Sequence, residues 1–449
     1  MATETELLAI SKSLMALAKK EGAQDSAVNA WRSRDVETTW RDGKIEKIAD
    51  ATTRGLTVAL YVDGRFGSMT TSDLRPDALE KLVRDGIAAT RALARDQYRK
   101  LPDPSTYANR ITRDLELHDP KILELTADAR LQRAKALEEG ARSEGGRGGN
   151  KGSDRIVSVT TSVNDSSSEM VRVSSNGFEG SYVSTSISQE ASVSVKDDDG
   201  RRPEDWEDAS VRHLGELPDP TSTGAKATAR ALARLGAKKS ASGTMTIIVE
   251  ARAARNLLRH FTNPLSGSAV QQKESFFEGK LGKKVASPIL TLSDEPHLAG
   301  GLGSRPFDGE GMSTKTRTII DKGVLGSFFF DVYYANKMSV APTTARPANL
   351  VVARGTKDLT ALLGDAKNGI LVTSFLGGNS NATTGIFSLG IVGFRFANGE
   401  KKEPIAEMNI SGNHSQFWNK LVATGNDPYL YSSTRSPSLV IEGVSVAGK

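Results

Sequence analysis

Residues 36–70 read VETTWRDGKIEKIADATTRGLTVALYVDGRFGSMT and decide the fold of the N-terminal part of the chain. Polar and apolar residues alternate on both sides of two Asp-Gly pairs, Asp42-Gly43 and Asp63-Gly64. Alternation with a period of two is typical of a strand with one buried face, and Asp-Gly between two such runs is a strong hairpin signal. The stretch therefore predicts two successive hairpins made of four strands.

Helical patterns flank these strands. Apolar residues recur at spacings of three and four between residues 4 and 20, and Thr3 with Glu6 has the spacing of a capping box. A second helix is expected from about Pro76, where apolar residues again lie on one face. Residues 1–95 therefore predict two layers, with helices packed against antiparallel strands.

The next stretch of chain shows the same two kinds of pattern. A helix is expected from Asp119-Pro120, with Asp as the N-cap, and the glycine-rich run at 140–152 that ends it predicts a flexible loop. Alternating valines predict strands between 155 and 195. Residues 203–221 contain three prolines and no periodicity, which predicts a linker.

Short strands with turn signals dominate the second half of the chain. The expected elements include a basic helix at 225–235, a strand at 245–249, a helix at 250–261 and a hairpin at 314–330. Many short strands of this kind favour a closed or strongly curved antiparallel sheet.

The sequence as a whole predicts an α+β protein. The N-terminal domain, residues 1–222, consists of helices packed on antiparallel sheets, with sub-parts near 1–100 and 110–222. The C-terminal domain, residues 223–449, is expected to be a curved antiparallel sheet that resembles a barrel.

The residues that carry chemistry are few. The sequence has no cysteine, which excludes disulfides, thiolate zinc ligands and a cysteine nucleophile. No two of its five histidines lie three to five residues apart, so no helical pair of imidazoles can face one zinc ion. These histidines are His118, His213, His260, His297 and His414. No catalytic residue and no metal ligand is therefore predicted in this chain.

Charge and hydropathy indicate which kinds of partner and which cellular location to expect. The chain carries 59 Lys and Arg against 54 Asp and Glu, and the two signs are interleaved, so nucleic-acid binding is not expected. No run of about 18 apolar residues is present, and the first residues are acidic where a signal peptide is basic. We expect no membrane contact and a cytoplasmic location.

A segment rich in Gly, Asn and Thr, LGGNSNATTG at 376–385, follows an expected strand at 370–375. One interpretation is a long polar loop in solvent. The other is a substrate site, because small residues allow a peptide backbone to approach and amides and hydroxyls can bond to it. The residues predicted for such a site are Arg259, His260, Asn379, Thr384, Gly385 and Asn413.

Several runs of the sequence resemble the TldD/TldE (PmbA) family, and they cover nearly the whole chain in the family's order. They are WRDGKIE at 40–46, YVDGRFG at 61–67, TSDL at 71–74, LAGGLGSRPFDGEG at 298–311, DKGVL at 321–325, ISGN at 410–413 and TGND at 424–427.

The resemblance implies a role without catalysis. In that family the TldD subunit is a metallopeptidase with HExxxH on a helix and a later cysteine, and the TldE subunit lacks this metal set. Here Ala251 and Asn256 stand at the two histidine positions and Arg252 at the glutamate position. The chain therefore resembles TldE, a subunit of a heterodimer whose zinc is held by a TldD-type partner. The implied substrates are unfolded peptides or ribosomal precursor peptides.

Two other functions remain open at this point. The chain could act without any peptidase, as a peptide-binding or regulatory protein of the gyrase-modulator type. It could also be a homodimeric hydrolase that uses a serine or a non-standard metal site.

Overall fold

The computed structural model describes residues 5–147 and 153–448. The helices are α1 Glu6–Lys20, α2 Pro76–Arg91, α3 Pro120–Leu123, α4 Ala127–Arg147, α5 Pro220–Leu232, α6 Ala251–Thr262, α7 Gly267–Gln271, α8 Val332–Met338, α9 Leu359–Ala366 and α10 His414–Phe417. The first strands are β1 Asp25–Arg41, β2 Lys44–Val62, β3 Arg65–Thr71, β4 Ile156–Ser174, β5 Glu179–Val195, β6 Glu204–Val211, β7 Gly243–Val249 and β8 Leu292–Asp294. The later strands are β9 Arg317–Asp321, β10 Val324–Leu325, β11 Leu350–Val352, β12 Gly369–Ser380, β13 Ile386–Ala397, β14 Glu400–Asn413, β15 Leu421–Thr424, β16 Thr434–Arg435 and β17 Leu439–Ala447.

The N-terminal half contains one antiparallel sheet with the strand order β3-β2-β1-β4-β5-β6. Both Asp-Gly turns are confirmed, and Asp42 and Asp63 have positive φ. The expected number of four strands at residues 36–70 was wrong, because β2 runs without a break through residues 49–55. These residues are polar or small and mostly exposed, so the backbone ladder continues where the apolar alternation stops.

Helices cover one face of this sheet in two groups. Val171 and Val173 of β4 pack with α1 and α2, whereas Val159 and Val163 pack with α4 and α5. Because side chains alternate along a strand and all four positions are odd-numbered, both helix groups lie on the same face. The α+β layering is confirmed. The other face of β4 carries polar residues such as Ser162.

Three expectations for the helix ends and connections need correction. The helix expected from Asp119 is two helices, α3 and α4, and α4 continues to Arg147, past the expected start of the loop at residue 140. Residues 148–152 of that loop, and Thr3 of the expected capping box, lie outside the described residues. The N-cap of α1 is Thr5, whose side chain accepts a hydrogen bond from the Leu8 N–H.

The linker expected at 203–221 was wrong as well. Most of its first half is β6, which pairs with β5, and α5 already begins at Pro220. Two acidic residues, Asp205 and Glu207, replace the apolar residues expected on the helix-covered face of β6. Arginines of neighbouring helices pair with Asp205, so the strand has no hydrophobic period that the sequence could show.

The C-terminal half contains a closed barrel of five strands. Strands β14, β13, β12, β7 and β17 pair in that order, and β17 returns to β14, with Asn409 opposite Ala447. A ring with an odd number of strands cannot alternate in direction all the way round, so one neighbouring pair must be parallel. That pair is β7 and β12, with Ile247 opposite Ile370. The barrel-like domain is confirmed, while β14, which begins with charged residues, was not predicted.

A long crossover, residues 250–368, joins the two parallel strands. It contains most of a second sheet with the order β10-β9-β8-β11-β16. The hairpin expected at 314–330 is present with shorter strands, β9 and β10. Among the described residues, no helix has both the length and the apolar content needed to span a bilayer.

The barrel strands separate two hydrophobic cores. Ile247 and Val249 of β7 pack in the main C-terminal core with Phe261 of α6 and with Trp418. Ile248, between them in sequence, packs in a smaller core with residues of α9. Side chains alternate along β7, so Ile247 and Val249 face the main core. Helix α6 begins directly after β7, at Ala251, and packs against the same core.

Candidate functional site

Helix α6 carries the positions to which the family resemblance assigns the metal motif. Arg252, at the glutamate position, is only 6% exposed. Its Nη2 donates to Asp205 Oδ1 at 2.9 Å, and its guanidinium lies 4.8 Å from the centre of the Trp206 ring. The helix is thus fixed to β6 of the N-terminal sheet through the Arg252 side chain.

The donor set at this place does not fit zinc. Ala251 has no donor atom, Asn256 offers a neutral amide, and an arginine cannot bind a cation. Residues 5–147 and 153–448 contain no group of three or more His, Cys, Asp or Glu that could hold a metal ion. The side chains that α6 presents are suited to ion pairs with the N-terminal half.

The segment predicted to bind substrate is a hairpin at one end of the barrel. Strand β12 continues to Ser380, and Gly378 and Ser380 lie opposite Leu389 and Phe387 of β13. The long polar loop considered for residues 376–385 is therefore reduced to a turn at 381–385. A register shift between Phe375 and Gly378 interrupts the ladder and leaves Leu376 exposed.

Within the turn, side chains and backbone groups are joined by hydrogen bonds. The Asn381 side-chain oxygen accepts hydrogen bonds from the backbone N–H groups of Thr383 and Thr384, both at 2.9 Å. Gly385 has φ +76°, and a Cβ at that position would lie 2.8 Å from Asn413 Oδ1. Glycine is required there both for its backbone conformation and for the close approach of Asn413.

The structure brings three of the predicted residues into contact. Asn413 Nδ2 donates to the Thr384 carbonyl at 2.8 Å, and its side-chain oxygen accepts from the Ser415 N–H at 2.9 Å. The His414 N–H donates to the Gly385 carbonyl at 2.8 Å. Thr384, Gly385 and Asn413 thus form one fixed corner where β14 enters α10.

His414, which the sequence did not single out as a site residue, lies beneath this corner. It is fully buried, its ring stacks on Phe276, and burial lowers its pKa to about 4, with a smaller contribution from His260. The Trp418 indole N–H can only donate, and it donates to Nδ1 at 3.2 Å. The neutral ring therefore carries its proton on Nε2 and donates to Ser380 Oγ at 3.0 Å.

This arrangement is the reverse of a nucleophile with its base. A serine is activated when the imidazole accepts the hydroxyl proton, whereas His414 donates its own proton to Ser380. The pair therefore gives no support to the serine-hydrolase alternative. The two residues are 34 positions apart, so no local sequence pattern could have indicated the pair.

The other predicted residues lie around the corner without joining it. His260 is partly buried at the end of α6, and burial together with the neighbouring Arg259 charge lowers its pKa. Arg259 is exposed. Asn379 is exposed on β12, opposite Ser388.

One edge of β12 is open beside this corner. Strand β13 pairs along one side of β12, but on the other side β7 pairs only with Ile370–Val372. Within the described residues, no strand pairs with that second edge from Thr373 to Ser380. Thr373 and Ser374 are buried, so only the stretch from Phe375 to Ser380 reaches the surface. Two apolar side chains nearby, Leu376 and Ile386, are 51% and 60% exposed. An open edge of this kind can pair with an extended peptide through main-chain hydrogen bonds.

Comparison with known proteins assigns the family. Models of the PmbA/TldA metallopeptidases match the chain in three parts: domain 1 at residues 32–90, the central domain at 120–235 and the C-terminal domain at 242–448. Together the three matches cover more than half of the chain. The chain belongs to the PmbA/TldD/TldE metallopeptidase family.

Individual relatives agree with this assignment. Metalloprotease PmbA of Escherichia coli O157:H7 is 28% identical over 446 residues, which cover 98% of this chain and 96% of that protein. A solved structure from Bacteroides thetaiotaomicron VPI-5482, named as a candidate modulator of DNA gyrase, is 42% identical with a TM-score of 0.94 and covers 99% of this chain and 100% of its own. TldE from Thermococcus kodakarensis is 18% identical with a TM-score of 0.87, covers 98% and 100%, and shows the likeness of fold alone.

Proposed function

We propose that this chain is the TldE-like, non-catalytic subunit of a heterodimeric TldD/TldE zinc metallopeptidase. The observation that carries the proposal is the role of Arg252 in an ion pair. At the position of the general base it holds a buried ion pair with Asp205, next to an alanine where a metal ligand would stand. In this proposal a TldD-type partner with HExxxH supplies both zinc and base.

The contribution of this chain would be the substrate path. The exposed part of the unpaired β12 edge, from Phe375 to Ser380, offers backbone donors and acceptors to an extended chain. Such pairing recognises the peptide backbone, which every sequence shares, and it requires a segment without structure of its own. Unfolded peptides and ribosomal precursor peptides are therefore the proposed substrates.

A cytoplasmic location belongs to the same proposal. A chain without cysteine is compatible with a reducing compartment.

The first experiment asks what the chain binds and what it can do alone. The chain is expressed with an affinity tag in its organism of origin, and the proteins that copurify with it are identified. We expect a paralogue with HExxxH in roughly equal amount, and we expect the separated chain to contain no stoichiometric zinc and to leave an unstructured peptide intact.

Two results would contradict the proposal. If the separated chain holds stoichiometric zinc that is lost when His260 or His297 is replaced, the chain has a metal site of its own. If no HExxxH paralogue copurifies and gyrase subunits do, the regulatory alternative replaces the proposal.

A further inference from the structure

An open cleft of about 1090 Å³ lies beside the first residues of β5. Its walls are the edge of β5 at residues 179–183, the first half of α1, the segment at 110–118 and the loop at 306–307. Among the described residues that line it, none belongs to α6 or to the β12–β13 hairpin. Small-molecule pockets usually measure about 300–1,000 Å³, so this cleft has room for a segment of peptide chain.

Within the described part of the chain, one edge of β5 has no partner strand along this wall. Strand β4 pairs with β5 from Glu179 onward, whereas β6 pairs only with residues 187–194. The Glu179 carbonyl accepts from Arg110 Nη1 at 3.0 Å. The Thr185 N–H donates to the Leu117 carbonyl at 2.9 Å. Both partners lie outside β4, so the main-chain groups of Glu179 and Thr185 point away from β4, toward the open edge.

The main-chain groups of Ser181 and Val183 point into the cleft for the same reason. Alternate residues of a strand direct their N–H and C=O groups to the same edge, and the register with β4 is regular from 179 to 185. No described residue makes a main-chain hydrogen bond with these two residues on that edge. Residues 180–184 contain no lysine, proline or bulge, the features that usually protect an exposed edge. The edge is therefore able to accept another strand.

Val183 is 45% exposed although its side chain is apolar. It lies opposite Glu169 of β4, on the face of the sheet that the helices cover. Glu169 in turn lies between Val163 and Val171, which pack with different groups of helices. Val183 is therefore exposed where the two helix groups separate, and an apolar side chain of a ligand would bury it.

The walls of the cleft carry an excess of positive charge. Arg110 and Arg113 donate to backbone carbonyls, and neither forms an ion pair with a described carboxylate. Glu179 is paired with Lys12 at 3.1 Å, so Asp114 is the one remaining carboxylate among the described lining residues. The charge of the walls therefore favours a ligand that carries carboxylates.

We propose that this cleft binds an extended, acidic segment of the unfolded substrate peptide by strand addition to β5. The segment pairs with the main-chain groups of Ser181 and Val183, and one of its apolar side chains packs on Val183 and Leu8. Its carboxylates meet the guanidinium groups of Arg110 and Arg113.

A flexible peptide suits the cleft better than a folded partner. A stable subunit interface buries about 1,600 Å² in total, whereas this short edge offers main-chain groups to a single strand. The inference rests on the proposed function for the identity of the ligand as a substrate, but the binding itself requires this chain alone. The two can therefore fail separately.

The test is fluorescence anisotropy of dye-labelled peptides titrated with the full chain in the absence of any partner. The probes are the capped peptide Ser-Glu-Val-Glu-Val-Glu-Ser, its counterpart with lysine for glutamate, and the acidic peptide with every backbone nitrogen methylated. We expect saturable binding of the acidic peptide. The lysine peptide should bind roughly tenfold or more weakly because its charges are reversed. The methylated peptide should lose roughly as much because it cannot donate to the edge of β5.

Two substitutions at Val183 locate the binding. Its N–H takes no part in the ladder with β4, so Val183→Pro should keep the strand while it removes the donor and fills the edge. Binding of the acidic peptide should weaken by roughly tenfold or more. Val183→Thr is the matched control, because it keeps the N–H and the branched side chain, and its affinity should stay within about twofold of the parent. The methylated peptide tests the same hydrogen bonds without any change of the protein.

A charge reversal tests the role of the arginines. Arg113→Glu should remove the preference for the acidic peptide over the lysine peptide. Arg54→Glu is the control, since Arg54 is also exposed but lies on β2 and does not line the cleft. It should leave the preference within about twofold of the parent.

Three results would overturn the proposal. The first is the absence of saturable binding of the acidic peptide up to about 1 mM. The second is equal affinity of Val183→Pro and Val183→Thr. The third is a loss of binding in Thr384→Trp together with normal binding in Val183→Pro, which would place the peptide at the edge of β12.

The assembled complex separates this inference from the proposed function. There Val183→Pro should raise KM for an acidic, unfolded substrate several-fold and leave kcat unchanged. Cleavage with an unchanged KM would reject the cleft as a substrate site and leave the proposed function standing. Failure of the proposed function has a different signature: no HExxxH partner is found, while the chain alone still binds the acidic peptide through Val183.

Discussion

His414 illustrates how position sets the chemistry of a single side chain. Its burial and its contact with the Trp418 N–H fix one neutral tautomer, and its pKa falls to about 4 from an ordinary value of 6.5. A histidine on a surface near the barrel end would titrate close to neutral pH. This one serves instead as a structural bridge between Ser380 and Trp418.

The first prediction is a pH dependence of stability. The unfolded chain takes up a proton at His414 near pH 6.5 and the folded chain only near pH 4, so stability is lost as the pH falls through this interval. When the pH falls from about 7.5 to about 5, this residue should lower the parent's free energy of unfolding by about 2 kcal/mol. His414→Asn should not show this loss. Urea unfolding at both pH values measures the difference.

The matched control for this experiment is His118→Gln, which removes an exposed histidine. That variant should retain the pH-dependent loss of the parent. A His414 ring that titrates by NMR near pH 6.5 would contradict the assignment.

Gly385 gives the second prediction, which concerns stability. Alanine there must adopt φ +76° with its Cβ within 2.8 Å of Asn413 Oδ1, so Gly385→Ala should lower the free energy of unfolding by about 1–3 kcal/mol. Gly215 has no positive φ and no atom within 4 Å of an added Cβ, so Gly215→Ala is the control and should stay within about 0.5 kcal/mol of the parent. Equal stability of the two variants in denaturant titration would show that the turn is less constrained than described.

Thr384 gives the third prediction, which concerns substrate contact. It is exposed beside the open edge of β12, so Thr384→Trp should leave the fold intact while obstructing an approaching peptide. Turnover of an unstructured peptide by the assembled complex should fall more than about twofold, since even one net hydrogen bond is worth roughly 1 kcal/mol. Size-exclusion chromatography should show an intact complex.

A solvent-exposed turn without a role in substrate binding would tolerate the same change. Turnover within about twofold of the parent would therefore reject the predicted contact at this corner.

At the scale of elements, α6 connects the two halves of the molecule. Its Arg252 pairs with Asp205 and its Arg255 with Asp208, both on β6, and the Tyr429 hydroxyl donates to the Asp208 carbonyl at 2.8 Å. In the family resemblance this helix is where a catalytic subunit holds its metal motif. Here its charged side chains stabilise the contact between the halves.

The fourth prediction follows from the charge of this contact. Arg252→Gln should destabilise the chain by about 2–3 kcal/mol, because buried Asp205 loses its closest cation. Asp205 then keeps the Trp206 N–H at 2.9 Å, a longer contact with Arg230 at 3.4 Å and a distant one with Arg234. Arg252→Glu should cost at least about 1 kcal/mol more, because it places a second carboxylate beside a buried one. Denaturant unfolding of the two variants measures both values.

The half-buried Arg255 provides the comparison, since it lies 3.3 Å from Asp208. Arg255→Gln should cost less than about 1 kcal/mol. If Arg252→Glu proves as stable as Arg252→Gln, the ion pair with Asp205 does not hold α6 against β6.

At the scale of the whole molecule, the sequence predicted the layers better than the connections. The turns at Asp42-Gly43 and Asp63-Gly64 were predictable because turn residues and period-two alternation agree there. Strand β6 was not, because its inward positions are acidic and their arginine partners lie on distant elements. The closure of the barrel through β14 also depends on pairing between residues far apart in sequence, which no local pattern contains.

The candidate site was predictable only in part, for a similar reason. The contact of Thr384 and Gly385 with Asn413 joins residues that the segment's composition and the family motif had already marked. His414 was not predicted, because its properties arise from burial and from its contacts with Ser380 and Trp418. Such properties exist only after residues far apart in the sequence have come together.

The central claim, that this chain assists catalysis by a partner, is tested most directly by cleavage of an unstructured peptide with the assembled complex. In one sample the glutamate of the partner's HExxxH motif is replaced by glutamine, and this chain is left unchanged. We predict that cleavage falls by at least about 100-fold, because the general base belongs to the partner, and that this chain alone shows no activity. Chelator-sensitive cleavage that persists in the altered complex, or that appears with this chain alone, would contradict the claim.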